Sequence, residues 1–166
     1  MSGLSDSKRV KMVVSNIIKS IIKSRNKLHD KVYIAIDLHD TIIRSTYSAE
    51  SESEEFYPHA KDVLQSLSKT CGIILILWTS SYPEKMKDVF AWFDRNEIAF
   101  KYLNENPECQ NTEFGDFSKK FFYDILLDDK AGFTPESDWE QIHKLIMQCG
   151  DENLLDFVYN NRKVGK

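Results

Sequence analysis

Three short apolar runs in this chain each stop abruptly at a cluster of oxygen-bearing side chains, and this repetition constrains the fold more than composition does. Val32–Ile36 ends at Asp37, with His39, Asp40 and Thr41 close behind; Ile73–Trp78 ends at Thr79, Ser80 and Ser81; Tyr123–Leu127 ends at Asp128 and Asp129. A β-branched and aromatic run bounded by polar residues predicts a buried strand. The second run has no polar alternation, as expected of a central strand covered on both faces.

Helical periodicity fills the intervals. A helix is predicted from Pro58, with Val63, Leu64 and Leu67 inward, and another from Pro83, with Met86, Val89, Phe90 and Phe93 inward. Ile98–Leu103 reads as a short strand and Asn104–Gly115 as a loop. Ser137–Cys149 and Glu152–Asn161 read as closing helices. Strands alternating with helices predict an α/β fold, a Rossmann-like doubly wound parallel sheet. In such sheets sites form at the carboxyl ends of the strands. Ser45–Glu55 is polar, acidic and aperiodic, and is expected to be a flexible loop.

With 166 residues the chain suits one domain with a substantial core. It divides by charge into residues 1–30, a basic amphipathic helix, and residues 31–166, an acidic α/β body. Up to Lys31 there are eight lysines and arginines against two aspartates, while the remainder holds 14 basic and 24 acidic side chains. Val10, Val13, Val14, Ile17, Ile18, Ile21, Ile22 and Leu28 follow helical spacing over residues 5–28, with Ser5 or Asp6 available as a cap. Such a helix either docks its isoleucines on the protein's own sheet or contacts nucleic acid, a membrane surface or a partner protein.

Cys71, Cys109 and Cys149 lie far apart and form no metal-binding spacing, so a reducing cytoplasmic setting is expected. Lys19 and Lys23 interrupt the N-terminal isoleucines, so no signal peptide is expected there, and no run is long enough for a membrane span.

If the three strands are adjacent and parallel, Asp37, Thr79, Asp128 and Asp129 converge, with Lys120 just ahead of the last strand. Carboxylate clusters brought together repel unless a cation lies between them, and hard oxygen donors without thiolates point to magnesium. A hydroxyl and a lysine beside that cation make a phosphate site. A carboxylate aimed at phosphorus in such a site can act as the nucleophile.

These parts, in this order, resemble the haloacid dehalogenase superfamily of phosphohydrolases. That family carries Asp-x-Asp-x-Thr after the first strand, Thr or Ser after the second, a Lys, and a later acidic pair. The matching residues are Asp37 with Thr41, Thr79, Lys120, and Asp128 with Asp129, spanning roughly Lys31 to Lys130. The stretches IILILWTSS, FDRNEIAFKYLNENPE and SKKFFYDILLDDKAGF look like a compact, cap-less subgroup of bacteria and phages. The resemblance implies that Asp37 is the nucleophile and a magnesium ligand. It implies that Thr79, Ser80 and Lys120 hold the phosphoryl group, and that Asp128 and Asp129 complete the metal shell.

The chain departs from the pattern at His39, which stands where the family has its acid–base Asp, and at Asp40, which stands for the usual Gly. The family residue at the first position also offers its backbone carbonyl to the metal, which His39 can do equally. An imidazole can exchange protons at neutral pH. Asp tolerates left-handed backbone better than most replacements for Gly, and its carboxylate is a second acid–base candidate. The other outcome is a phosphate-binding or regulatory protein with impaired chemistry. Taking Asp40 as nucleophile leaves Ile42 where the acid–base partner belongs. A response-regulator receiver would need its acidic pair near the first strand, whereas here the pair is late.

No interval has room for a separate cap domain. An open site suits a nucleotide, a nucleic-acid end or a phosphoprotein, or a small substrate enclosed by homo-oligomerisation. The basic helix favours nucleic acid and the acidic loop opposes it.

Overall fold

The computed structural model describes residues 3–46 and 53–161, with side chains from Met12 onward. Val32–Asp37 (β1) and Ile73–Trp78 (β2) pair in parallel along their whole length, from Val32 opposite Ile73 to Asp37 opposite Trp78. Tyr102–Leu103 (β3) joins the outer side of β2, and Ile125–Leu127 (β4) joins the other side of β1. The sheet order is β3-β2-β1-β4, all parallel. The chain therefore builds outward from β1 in one direction and then returns to its other flank. The switch point lies between β1 and β4, where open α/β sheets form their ligand crevice.

Among the described residues five α-helices accompany the sheet: α1 (Gly3–Asn26), α2 (Ala60–Lys69), α3 (Pro83–Arg95), α4 (Pro135–Cys149) and α5 (Leu154–Asn160). The expected α/β architecture is present. In α2 the buried positions are Ala60, Val63, Leu64 and Leu67, one helical stripe. In α3 Trp92 is buried with Met86, Val89 and Phe93, and its ring stacks on Phe56 at 4.3 Å.

The N-terminal helix packs against α4 and α5. Ile17, Ile18 and Ile21 are buried in the same core as β1 and β4. Each fully buried isoleucine contributes roughly 1.5–3 kcal/mol, so this stripe is an internal surface. Arg25 adds an ion pair to Asp156 at 2.8 Å. Leu28 departs from the expected stripe: it is 93% exposed, with φ 60°. The helix ends at Asn26, and Leu28 forms the left-handed turn that leads the chain into β1.

Other boundaries differ for local reasons. Helix α2 starts at Ala60, because His59 takes a left-handed conformation (φ 65°) and Pro58 lies in the preceding turn. The expected strand over 98–103 shrinks to two residues, since the Ile98 N–H turns back to the Phe93 carbonyl and caps α3. Strand β4 starts only at Ile125, because the Asp124 carboxylate accepts the Tyr33 N–H at 2.9 Å in place of a ladder carbonyl. Helix α5 starts at Leu154, capped by the Asn153 side chain.

Residues 47–52 of the acidic loop lie outside the described residues, as does the Val10 side chain. No helix is long and apolar enough to cross a membrane among the described residues.

Candidate active site

Asp37 is the last residue of β1, level with Trp78 on β2 and one step beyond Ile36, which pairs with Leu127 on β4. The next turn is anchored by buried Leu38, Ile42 and Ile43, and the Leu38 carbonyl accepts the N–H groups of both isoleucines, at 3.0 and 3.1 Å. Asp40 sits in this turn with φ 54°, a left-handed geometry that Asp adopts more readily than most residues other than Gly. Its carboxylate accepts from the Ser45 N–H at 3.1 Å and the Ser45 hydroxyl at 2.9 Å, closing the turn.

Thr41, fully buried, joins the two acidic clusters. Its hydroxyl donates to Asp37 Oδ2 at 3.2 Å and accepts the Asp129 N–H at 3.1 Å. Its carbonyl accepts from Trp139 Nε1 at 2.7 Å, so α4 holds the turn from behind. Trp139 is wholly buried and meets Phe133 edge-on at 4.9 Å.

Ligand oxygens of Asp37, Asp128 and Asp129 lie within 4.8 Å of one another. Burial and the Asp128 charge push the Asp37 carboxyl up to about 6, against the lowering effect of the Thr41 hydroxyl and the Leu38 N–H. Asp129 Oδ1 is buried without a hydrogen-bond partner. The Lys130 ammonium stands 3.7 Å from that oxygen, beyond hydrogen-bonding range. Asp129 first, then Asp37 and Asp128, raise the Lys130 pKa. Three converging hard donors, one of them orphaned, fit a small divalent cation such as magnesium. One Asp128 oxygen accepts the Lys130 N–H at 2.8 Å, which fixes its orientation.

Thr79 follows β2 at the same edge and is buried. Its backbone makes a reciprocal pair with the Asn104 side chain, N–H to Oδ1 at 2.8 Å and Nδ2–H to carbonyl at 2.6 Å. Its hydroxyl accepts the Ser81 N–H at 3.2 Å. Ser80 is exposed, and His39 is half-buried in the turn after Asp37. Lys120 is exposed in a connection without helix or strand. Its neighbour Phe121 lies against Trp78, centroids 5.4 Å apart, which brings that segment to the carboxyl end of β2.

Three residues beyond the sequence-based set belong to this arrangement. Asn104, with φ 54°, follows β3, so a fourth strand end also delivers a polar side chain. Lys130 follows the acidic pair directly. Trp139 gave no signal, because an indole in a helical stripe reads as core.

No protein-family model and no curated protein matches the chain. A solved structure, that of a conserved protein coded by a locus of Bacteroides thetaiotaomicron, is similar over 71% of this chain and 91% of its own, with 26% identity and a TM-score of 0.53. The likeness supports the α/β architecture, a parallel sheet flanked by helices.

Proposed function

We propose that this protein is a magnesium-dependent phosphohydrolase of the haloacid dehalogenase type, with Asp37 as nucleophile. The observation that carries the reading is the meeting of Asp37, Asp128 and Asp129 around an orphaned carboxylate oxygen. Magnesium, when bound there, supplies the positive charge that these carboxylates and a phosphate ester require. Asp37 attacks phosphorus through a carboxylate oxygen, and the bond to the leaving oxygen breaks. That oxygen takes a proton from His39. Neutral His39 then accepts a proton from the water that attacks the aspartyl-phosphate, releasing phosphate and restoring Asp37. Thr79, Ser80 and Lys120 hold the phosphoryl oxygens, with Lys130 as a further cation beside the acidic cluster. Thr41 keeps Asp37 oriented and ties its position to the backbone of Asp129.

A second reading is favoured by one observation: the Asp40 carboxylate is engaged by Ser45, which leaves acid–base work to His39. Under this reading the protein binds phosphate and turns over poorly. A panel of aryl phosphates, nucleotides, phosphorylated nucleic-acid ends and phosphopeptides, run on wild type and Asp37→Asn, separates the two. Phosphatase chemistry predicts release that stops with chelator and in Asp37→Asn. Absence of turnover across the panel favours the binding protein. His39→Asp then reports on the histidine: a faster variant means a handicapped site, a slower one means His39 has its own catalytic role.

A further inference from the structure

A second group of metal-ligating side chains lies outside the acidic edge, where the start of α2 meets α4. His59 and Asp62 are three residues apart, spacing that places both on one face of the helical turn. His143 comes from α4. Ligand atoms of all three lie within 4.8 Å of one another. The two imidazoles stack at 4.9 Å between centroids, 27° from parallel.

His59 is the N-cap of α2, yet its ring makes no cap hydrogen bond, so the side chain is not committed to closing the helix. The rings lie 27° from parallel, so a shared metal requires one imidazole to turn until both in-plane nitrogen lone pairs meet it, a rotation open to exposed His59. The positive end of the α2 dipole opposes a cation here, while Asp62 and, from α4, Glu140 supply negative charge. Glu140 is paired with Lys144 at 2.7 Å.

We propose that His59, Asp62 and His143 form a binding site for zinc or a similar borderline transition metal. Two imidazoles and one carboxylate suit zinc and leave a coordination position for water, whereas magnesium disfavours imidazole. Zinc–ligand bonds of about 2.0–2.1 Å require ligand atoms about 3.3 Å apart in a tetrahedral site. The observed spread closes to that value by side-chain rotation, because His59 and Asp62 are exposed. A metal here cross-links two elements that brace the turn after Asp37. The Tyr57 N–H, two residues before His59, donates to the Ile42 carbonyl at 3.0 Å, and Trp139 on α4 donates to the Thr41 carbonyl.

The test is zinc titration of the full chain against a chromophoric chelator, repeated with cobalt(II) to read the d–d absorbance of bound metal. In Asp37→Asn with excess magnesium, which removes the acidic cluster from competition, the expected result is one saturable zinc site that wild type shows as well. It should weaken at least about tenfold in His143→Ala and in Asp62→Asn, and zinc should raise the melting temperature of wild type but not of His143→Ala. Equal zinc binding by wild type and both ligand variants overturns the proposal, as does loss of the site in Asp37→Asn alone. Asp62 is exposed, so Asp62→Asn carries the decision if His143→Ala does not fold. The outcome is independent of phosphatase activity.

Discussion

The two ends of the sheet handle half-buried negative charge in opposite ways. Near the amino end, Glu108 is surrounded by its own counter-charges: Lys31 at 2.6 Å, Lys101 at 2.5 Å, and the hydroxyls of Tyr33 and Tyr102 at 3.0 and 2.7 Å. Lys101 and Lys31 hold the Glu108 carboxyl well below the usual carboxylate range. At the carboxyl end, Asp37, Asp128 and Asp129 gather with one lysine at the margin, and burial and Asp128 push Asp37 up to about 6. Both regions use the same kinds of side chain. Glu108 closes its electrostatics internally and reads as a structural clasp, whereas the proposed site at Asp37 gathers three carboxylates beside a single lysine at its margin. Compensation, more than the mere presence of acidic residues, separates scaffold from site.

Four substitutions bear on this contrast. The largest expected effect is Asp128→Asn, which removes charge and ligand capacity together and should reduce phosphatase turnover by at least about 100-fold, measured at saturating magnesium. Next is Thr41→Val. It deprives the buried Asp129 N–H of its acceptor and Asp37 of a donor, for a loss of about 1–3 kcal/mol by chemical denaturation. Glu108→Gln should lower the melting temperature by roughly 3–6 °C while leaving turnover nearly unchanged. A catalytic defect there would erase the distinction between clasp and site.

The smallest effect carries a definite sign. With chelator present, Asp37→Asn should melt a few degrees above wild type at neutral pH. Asp37 has a folded pKa of about 6 against 3.8 for an unperturbed Asp, so the unfolded chain ionises first as pH rises. Stability is lost across that interval, and the deficit is complete above it. The advantage of Asp37→Asn should therefore fade as pH falls from 6 toward 3.8. Glu108 works in the other sense: its contribution is present above the ordinary carboxylate range and disappears on acidification below it.

The strand ends could be read from sequence because each apolar run stops where the chain leaves the sheet, and polar residues mark that point whatever surrounds them. The isoleucine stripe of α1 was also readable as a helix, although only packing decided between its own core and an external partner. The remaining features depend on long-range contacts without a local signature. Thr41 bridges Asp37 and Asp129 from 88 residues away in sequence from the latter. Asn104 looks like an ordinary loop residue until β3 places it opposite Thr79. Strand β3 was over-read because Ile98 and Phe100 are buried without joining the ladder. Leu28 fits the helical period but comes after the helix has ended.

The central proposal is that the carboxyl edge takes up a cation, whereas the amino edge pairs Glu108 with its own lysines. Calorimetric titration of magnesium into wild type, Asp129→Asn and Glu108→Gln tests it most directly. The account predicts one saturable site in wild type and Glu108→Gln, at least about tenfold weaker in Asp129→Asn, and weaker in wild type below the Asp37 pKa of about 6 than at neutral pH. Binding that is absent from wild type, or unchanged by Asp129→Asn, would contradict it.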